Sequence, residues 1–397
     1  MSKLFNIRVA RQLVGIVIAG RLLVHAITCS AAKAPGVPVI DVTDFYHPHQ
    51  DVGDNFDILA PFSMPEIDLK AVILDSTETF RREGKGRDAG FIPMTQLNSI
   101  FDRDVPCATT PYYAMKSVDD KMLDAPRFQQ KGIELILKTL RESQKPVNIL
   151  CFGSARAIAA AYNRDPKLFG KKLARIHLCA GGSTPPVDGY NEWNITLDPH
   201  AIVCLLRSGL PIALYPCAAN NGGDMSYGAM SPAFSYDEHN TFYKVPNLQF
   251  ITRMEPPLRR YLEYTFSEST RSDFLRAMEE DGPPLDEKLL NKEHYVWETS
   301  VWICVSGRKL VKRADGSYRI IPPDQVLASD SVLPNELHPC TVTVQDNGVY
   351  EFHETTRPTN FQIYYRGDPK ENERALRDAL PALYTSFKST RGKNDKR

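Results

Sequence analysis

The sequence predicts an α/β domain: a Rossmann-like, mostly parallel sheet flanked by helices, with a small β appendage and a helix at its C-terminal end. Two observations carry this. From residue 37 onward, short apolar runs alternate with stretches of helical spacing, the order of a parallel sheet. Acid- or glycine-bearing segments follow the runs, so polar residues gather along one edge of the sheet, where ligands of open α/β sheets bind.

The first strand is VPVIDV, ending in acids. A short helix follows from about residue 54 to 63, then the strand LKAVILD, which ends at Asp75. Residues 76–92 are rich in charge and glycine and read as a mobile loop beside a strand end, a place from which loops cover sites. Helical spacing recurs over 93–101 and 126–143, where Ile133, Leu135, Ile136 and Leu140 mark one face. VNILCF then leads through Gly153 into the helix SARAIAAAYNRDP, ARIHLCAGG is a further strand, and Asp198-Pro199 opens the helix HAIVCLLRSG. Proline suits a first helical turn because its missing N–H would have no partner there. PIALYPC closes this series.

The second half is less regular. Residues 218–240 read as loop, and 255–290 hold helical segments broken by Pro283-Pro284. A helix is expected around YVWETSVWICVSG. The alternating runs TVTV, VYEFHE and NFQIYY suggest the hairpin or appendage, and a charged helix over 370–388 ends a domain of residues 36–390. The tail 391–397 is charged and expected to be disordered.

With 397 residues and 42% apolar content the chain can bury a full core without disulfides or metal. Lys+Arg and Asp+Glu both total 48, which argues against a broad basic surface for a nucleic-acid polymer and points to a small-molecule partner. The eight cysteines form no CxxC pair and no zinc spacing, and several sit inside apolar runs. Lys3, Arg8 and Arg11 precede LVGIVIAG, and small residues follow around Cys29–Ala32. That is the order of a signal peptide, which implies a secreted or periplasmic protein. Arg21 and His25 interrupt the apolar stretch, so residues 1–35 read alternatively as an N-terminal extension of a cytoplasmic protein. No later stretch is long and apolar enough to span a membrane.

Asp41, Asp44, Asp51, Asp54 and Asp57, with His47 and His49, crowd the segment after the first strand. Hard oxygen ligands at this density suit Ca²⁺ or Mg²⁺, but the spacing is not that of an EF-hand, so further ligands must come from elsewhere. Read alone, the segment is equally a solvated turn with Asp54 capping a helix.

ILCFGSARAIAAAYNRDP, IHLCAGG and the segment Glu192-Trp193-Asn194-Ile195-Thr196-Leu197-Asp198-Pro199-His200-Ala201 resemble the inosine-uridine-preferring nucleoside hydrolase family over about 70 continuous residues, Asn148 to Cys217. The family's E-[FW]-N-I-x-x-D-P-x-A order is kept at the right distance from the glycine pair. Asp51-Val-Gly53-Asp54 looks like the family's DPGxDD metal loop, and MPEIDLKAVIL like its next strand. The resemblance implies the nucleoside-hydrolase fold and a Ca²⁺ that binds the attacking water and ribose hydroxyls. It implies metal ligands at Asp51, Asp54, Asp57, Glu298 and the carbonyl of Phe152, with Asp54 also the base that activates the water. Glu192 and Asn194 would hold ribose hydroxyls, projecting the same way if their segment is extended. A homo-oligomer is a further implication.

Four departures bear on the chemistry. The adjacent aspartate pair becomes Asp54-Asn55, or Asp57-Ile58 in an alternative register. A substrate-contacting Asn falls near Thr77 or Glu78, and another has only Asp188 or Asn191 to replace it. The late His-Asp pair becomes Trp297-Glu298: glutamate can replace aspartate on a metal, but tryptophan cannot protonate a departing base. Trp297 could stack on a base or pack in the core, and His239 and His294 remain other proton donors. The expectation is therefore a Ca²⁺-dependent hydrolase of ribonucleosides or related N-glycosides, in which bound water attacks the anomeric carbon. The alternative is a non-catalytic ribose- or nucleoside-binding protein of the same fold.

Overall fold

The structure, a computed structural model, describes residues 36–44, 51–78, 89–184, 192–218 and 237–390. The expectations for residues 1–35, the tail 391–397, most of the loops 76–92 and 218–240, and His47, His49, Asp188 and Asn191 lie outside them.

β1 (Val37–Thr43) leads to α1 (Val52–Ser63), β2 (Ile67–Leu74), α2 (Phe91–Phe101), β3 (Cys107–Thr109), α3 (Lys131–Glu142), β4 (Val147–Cys151), α4 (Arg156–Arg164), α5 (Pro166–Lys172) and β5 (Leu173–Leu178). α6 (Trp193–Leu197), α7 (Pro199–Leu206) and β6 (Ile212–Leu214) complete the regular half. Expected and observed elements coincide closely here, because each apolar run is bounded by a cap or a turn residue. The helix after β1 begins earlier than expected, since Asp51 rather than Asp54 caps it. The expected helix 154–166 begins at Arg156 and breaks at Asp165, which caps α5 by accepting from Leu168 N with Pro166 behind it.

The second half adds β7 (Tyr243–Val245), α8 (Pro256–Phe266), α9 (Glu287–Asn291), β8 (His294–Val296) and α10 (Thr299–Ser306). The helix expected from Tyr295 starts only at Thr299: β8 pairs with β7, so Trp297 and Glu298 sit at a strand-to-helix junction. A small sheet follows, β9 (Lys309–Lys312), β10 (Tyr318–Ile321) and β11 (Ser331–Val332), then β12 (Glu336–Val344), β13 (Tyr350–Glu354), β14 (Phe361–Tyr365) and α11 (Pro369–Ser386).

The large sheet runs β13-β12-β14-β6-β5-β4-β1-β2-β3. The pairs from β14 through β6, β5, β4, β1 and β2 to β3 are all parallel, and β12 is antiparallel to both β13 and β14. The runs TVTV, VYEFHE and NFQIYY thus extend the main sheet, and the separate small sheet is built from 309–332 instead. Alternation cannot tell these outcomes apart, because it shows which side chains share a face and not which strand lies alongside. Apolar layers cover both faces: Val39 packs in one, with α1, α2, α8, α10 and α11, while Ile40 and Val42 pack in the other, with α3, α4 and α7. No helix among the described residues is long and apolar enough to cross a membrane.

One buried ion pair ties the sheet's C-terminal edge together. Arg156 and Asp198 are 1% and 0% exposed, with Nε 3.0 Å from Oδ2. The other guanidinium nitrogens donate to the carbonyls of Pro111 at 2.6 Å and Leu197 at 2.9 Å. Asp198 also accepts from Met115 N at 2.8 Å and caps α7 through Ala201 N at 3.1 Å. Asp198→Ala is expected to cost about 3–5 kcal/mol, because it strands a buried guanidinium. The double variant Arg156→Met/Asp198→Leu is expected to lose less than Asp198→Ala alone. Urea denaturation of the three proteins checks this, and a single variant no less stable than the double would refute it.

Candidate active site

The strands end where the carboxylates begin. Two-residue alternation places Asp41 on the face of Val39, toward α1, and Asp44 follows at the end of β1. Asp51 caps α1: its Oδ1 accepts from Gly53 N at 2.8 Å and Asp54 N at 3.3 Å. Asp54 and Asp57, three residues apart, share one helical face and are buried. The β8–α10 junction brings in Glu298, whose Oε2 accepts from Trp297 N at 3.0 Å.

Two glycines allow the close approach. A Cβ on Gly53 would lie 2.8 Å from Glu298 Oε2 and 3.3 Å from Asp51 Oδ1, and one on Gly153 would lie 3.1 Å from the carboxyl carbon of Asp44. Beside them Asp75 accepts from Thr110 Oγ1 at 2.8 Å and Ser154 N at 3.1 Å.

Burial is the first cause of a proton affinity raised throughout this group. It lifts Asp41 to about 8, Asp51 to about 6 and Glu298 to about 7. Asp44 rises well above the carboxylate range through burial and then the charges of Asp75, Asp51 and Glu298. Asp54 rises through burial and then Asp51, Asp44, Glu298 and Asp57. Asp57 rises through burial, Asp41 and Glu298, opposed by the Trp302 indole N–H, which donates to its Oδ1. Asp41 and Asp57 share a side-chain hydrogen bond that opposes the rise at Asp41, and among the described residues no N–H or hydroxyl group reaches either oxygen of Asp41 or Oδ2 of Asp57.

Glu192 and Asn194 reach the same edge by another geometry than an extended segment. Glu192 caps α6, with Oε1 accepting from Asn194 N at 3.0 Å and Oε2 from Ile195 N at 3.2 Å and Gly181 N at 2.8 Å. Burial lifts it to about 7, against these backbone donors. Asn194, in the first helical turn, donates from Nδ2 to the Cys179 carbonyl at 2.8 Å. Both side chains therefore point to the exit of β5 although they lie on a helix. Trp297 is half-buried; its Nε1 donates to the Cys217 carbonyl at 2.9 Å and its ring lies 5.5 Å from that of Phe242. Phe152 is buried at the end of β4, its N–H bonded to the Val42 carbonyl at 2.8 Å and its ring 6.0 Å from Trp302.

The inosine-uridine preferring nucleoside hydrolase family matches residues 86–289 of this chain. The chain belongs to that family. The match takes in the Glu192–Ala201 segment and stops short of both Asp51–Asp57 and Trp297–Glu298. Among curated relatives, the pyrimidine-specific ribonucleoside hydrolase RihA of Escherichia coli is 28% identical over 181 residues, 41% of this chain and 55% of the relative. Its counterpart in Enterobacter sp. is 35% identical over 104 residues, 24% of this chain and 32% of the relative. The chain thus spans about half the length, or less, of the curated relatives it matches. Among solved structures, a plant nucleoside hydrolase covers 88% of this chain and all of its own at 15% identity and a TM-score of 0.49. A purine-preferring ribonucleoside hydrolase from Gardnerella vaginalis covers 88% of this chain and 99% of its own at 14% identity and a TM-score of 0.49.

Against the family pattern, the structure brings Asp51, Asp54, Asp57 and Glu298 into one electrostatic group and adds Asp41 and Asp44, which the motif comparison had not assigned to the site. Their signal in the sequence was position: Asp41 by strand alternation and Asp44 by strand end. Asn55, where the family has a second aspartate, instead donates to the Asp51 carbonyl at 2.6 Å and accepts from Tyr261 Oη at 3.0 Å. Thr77, near the family's substrate-contacting Asn, is buried with a hydroxyl that meets no partner among the described residues.

Neither alternative histidine has a described contact with the cluster. His239 Nδ1 donates to the Tyr364 carbonyl at 2.7 Å while Nε2 lies 3.1 Å from Glu354, and His294 Nε2 donates to the Leu289 carbonyl at 3.0 Å.

The donor chemistry suits a hard divalent cation, with buried carboxylate oxygens that accept from no N–H or hydroxyl group of the described residues and glycines that let the carboxylates approach closely. Three such side chains do not yet converge at ligand spacing among the described residues. The set fits an ion by its chemistry and would have to draw together around it.

A stability profile follows from the raised carboxyls. In cation-free protein each keeps its proton when folded and sheds it near 3.8 or 4.5 when unfolded. Their contribution is complete below about pH 4 and is lost as pH climbs through the folded values, which run from about 6 to about 8. Thermal unfolding in a chelator is therefore expected to show a Tm that falls between pH 5 and pH 8, and a flat profile would contradict it.

Proposed function

We propose that the chain hydrolyses the N-glycosidic bond of ribonucleosides or related ribosyl glycosides with Ca²⁺ as its ion. The observation that carries this reading is the set of buried carboxylates whose strongest charged partners are other carboxylates, with no cationic side chain of the described residues acting on them. Such a floor is stable only when protonated or when a cation neutralises it. Asp51, Asp54, Asp57, Glu298 and the Phe152 carbonyl would hold the ion. When bound, the ion would supply the charge that ionises these carboxyls and would polarise a water and the ribose hydroxyls beside it.

The chain's own groups do the rest. N-glycoside cleavage passes through an oxocarbenium-like sugar, which the negative floor stabilises. Asp54, at the centre of the cluster, takes the proton of the water that attacks the anomeric carbon. Asn194 offers Oδ1 and its second N–H to ribose hydroxyls, Glu192 offers the remaining lone pairs of a carboxylate already held by three N–H groups, and Thr77 offers its unpartnered hydroxyl. Trp297 presents a ring anchored at Nε1 on which a base can stack.

The order of charges, apolar run and small residues over 1–32 favours export, so we place the protein outside the cytoplasm.

A second reading, nucleoside binding without turnover, is favoured by Trp297 alone: it occupies the position of the family's histidine and leaves no evident acid for the departing base. Ribose release from a panel of purine and pyrimidine ribonucleosides separates the two. Turnover is expected with Ca²⁺ and not with chelator, and Asp54→Asn and Glu298→Gln are each expected to lower kcat by about 10²–10⁴-fold. Ligand-induced stabilisation of the calcium-loaded protein with no released ribose would establish the binding protein instead, at about 2.7 kcal/mol for a ligand at a hundred times its Kd.

A further inference from the structure

At the floor of the same pocket, Cys179 and Cys217 face one another with Sγ–Sγ 3.3 Å apart. The contact is built by the backbone. β5 and β6 are parallel neighbours, and past their ends Tyr215 N donates to the Leu178 carbonyl at 2.8 Å, Cys217 N to the Gly181 carbonyl at 3.0 Å and Ser183 N to the Ala218 carbonyl at 2.8 Å. A bridge between Gly182 and Ala218 prolongs the pairing. Both cysteines are free; Cys179 is buried and Cys217 is partly exposed, so Cys217 is the one nearer to solvent. Glu192 and Glu298 both raise the proton affinity of each thiol, so the pair lies within electrostatic reach of both carboxyls of the proposed nucleoside site.

We propose that Cys179 and Cys217 are a redox-active dithiol that closes to a disulfide by exchange with a small-molecule disulfide, a modification that reshapes the pocket floor. The exchange balances in two steps. Cys217 Sγ, having given its proton to solvent, attacks one sulfur of the small disulfide; an S–S bond forms to Cys217 and the other half leaves as a thiolate. Cys179 Sγ, likewise deprotonated, attacks Cys217 Sγ and expels the second half as a thiolate. The two protons released by the protein are taken up by the two leaving thiolates, the protein is oxidised by two electrons and the small disulfide is reduced by two. An S–S bond is about 2.05 Å long, so the sulfurs must approach by roughly 1.3 Å, within reach of a small side-chain rotation.

The carbonyls of these two residues make the consequence local. The Cys179 carbonyl holds Asn194 Nδ2 and the Cys217 carbonyl holds Trp297 Nε1, so drawing the two chains together shifts a ribose contact and the stacking ring. This effect on ligand binding rests on the nucleoside reading; the thiol chemistry does not.

The full chain, with Cys179→Ala and Cys217→Ala variants, is equilibrated in glutathione buffers of rising oxidised fraction, alkylated, digested without reduction and mapped by mass spectrometry. Wild type is expected to yield a Cys179–Cys217 linked peptide lighter by two hydrogen atoms, with no lasting glutathione adduct. Cys179→Ala is expected to accumulate glutathione on Cys217, since nothing resolves the mixed disulfide, and Cys217→Ala to yield neither. A wild-type protein that stays reduced, that holds glutathione on Cys217, or that links other cysteines would overturn the proposal. Tryptophan emission of wild type is expected to change on oxidation and that of Trp297→Phe to change less; equal changes would overturn the coupling to the pocket. None of these readouts needs nucleoside turnover, so a failure here is distinct from a failure of the hydrolase reading.

Discussion

The constraint on which this molecule depends is the burial of five carboxyl groups, and the partial burial of a sixth, at one edge of a sheet. Asp41, Asp44, Asp51, Asp54, Asp57 and Glu298 are held there by β1, α1 and the β8–α10 junction, and burial is the leading cause of raised proton affinity in every one. A fold that only needed a core would place apolar side chains at these positions, because buried charge without a partner is among the costliest things a protein can contain. The layer beside them is dominated by buried apolar side chains, so solvent relieves little of the cost. The group is therefore a reservoir of negative charge waiting for a counter-charge. Whether protons or a metal ion supply it decides both stability and reactivity.

The opposite problem, a buried positive charge, is solved with ordinary means a few residues away. Arg156 meets Asp198 and two carbonyls, so its charge is paired and its N–H groups are occupied. Because Asp198 also caps α7 and Glu192 caps α6, the segment from Glu192 to Ala201 is locked at both ends. Asn194 lies between these locks. A short motif thus carries a scaffold duty and a ligand-facing duty at once, which is a physical reason for its residues to stand in this order.

The first half of the fold was legible in the sequence because its signals are local. VPVIDV, LKAVILD and VNILCF are bounded by acids or glycines, and Asp198-Pro199 states a helix start in two residues. The second half was not, because its signals are tertiary. The helix expected at Tyr295 gives way to β8 since β7, some fifty residues earlier, offers it a partner. Of the runs expected as a hairpin or appendage, TVTV and VYEFHE do pair antiparallel, but NFQIYY joins β6 because Phe361–Ile363 align with Ile212–Leu214, a pairing that no spacing within either segment encodes. In the site, Asp54 and Asp57 were readable as acids near a strand end, whereas their placement on a buried helical face depends on Asp51 taking the cap. Glu192 and Asn194 were assigned from a motif, but the geometry that directs them to β5 is a capped turn and not alternation. The thiol contact left no trace in the spacing, since Cys179 and Cys217 meet only because β5 and β6 are neighbours.

The substitution of Trp297 for a histidine changes where the chemistry must be hardest. A histidine beside the departing base shares the work of bond breaking by delivering a proton, and a tryptophan whose Nε1 already donates to the Cys217 carbonyl delivers none. On the hydrolase reading proposed above, what this chain would retain is the means to stabilise the sugar side: a negative floor for the oxocarbenium charge and a carboxylate to take a proton from water. Catalysis built on that side alone favours substrates whose leaving group departs without protonation, and it disfavours purines that need it. The stacking surface of Trp297 and its position beside Phe242 act in the same direction, since they reward a flat aglycone for its shape rather than for a basic ring nitrogen. On that reading, selectivity in such a site would be set by leaving-group acidity, and the residue before Glu298 would impose it.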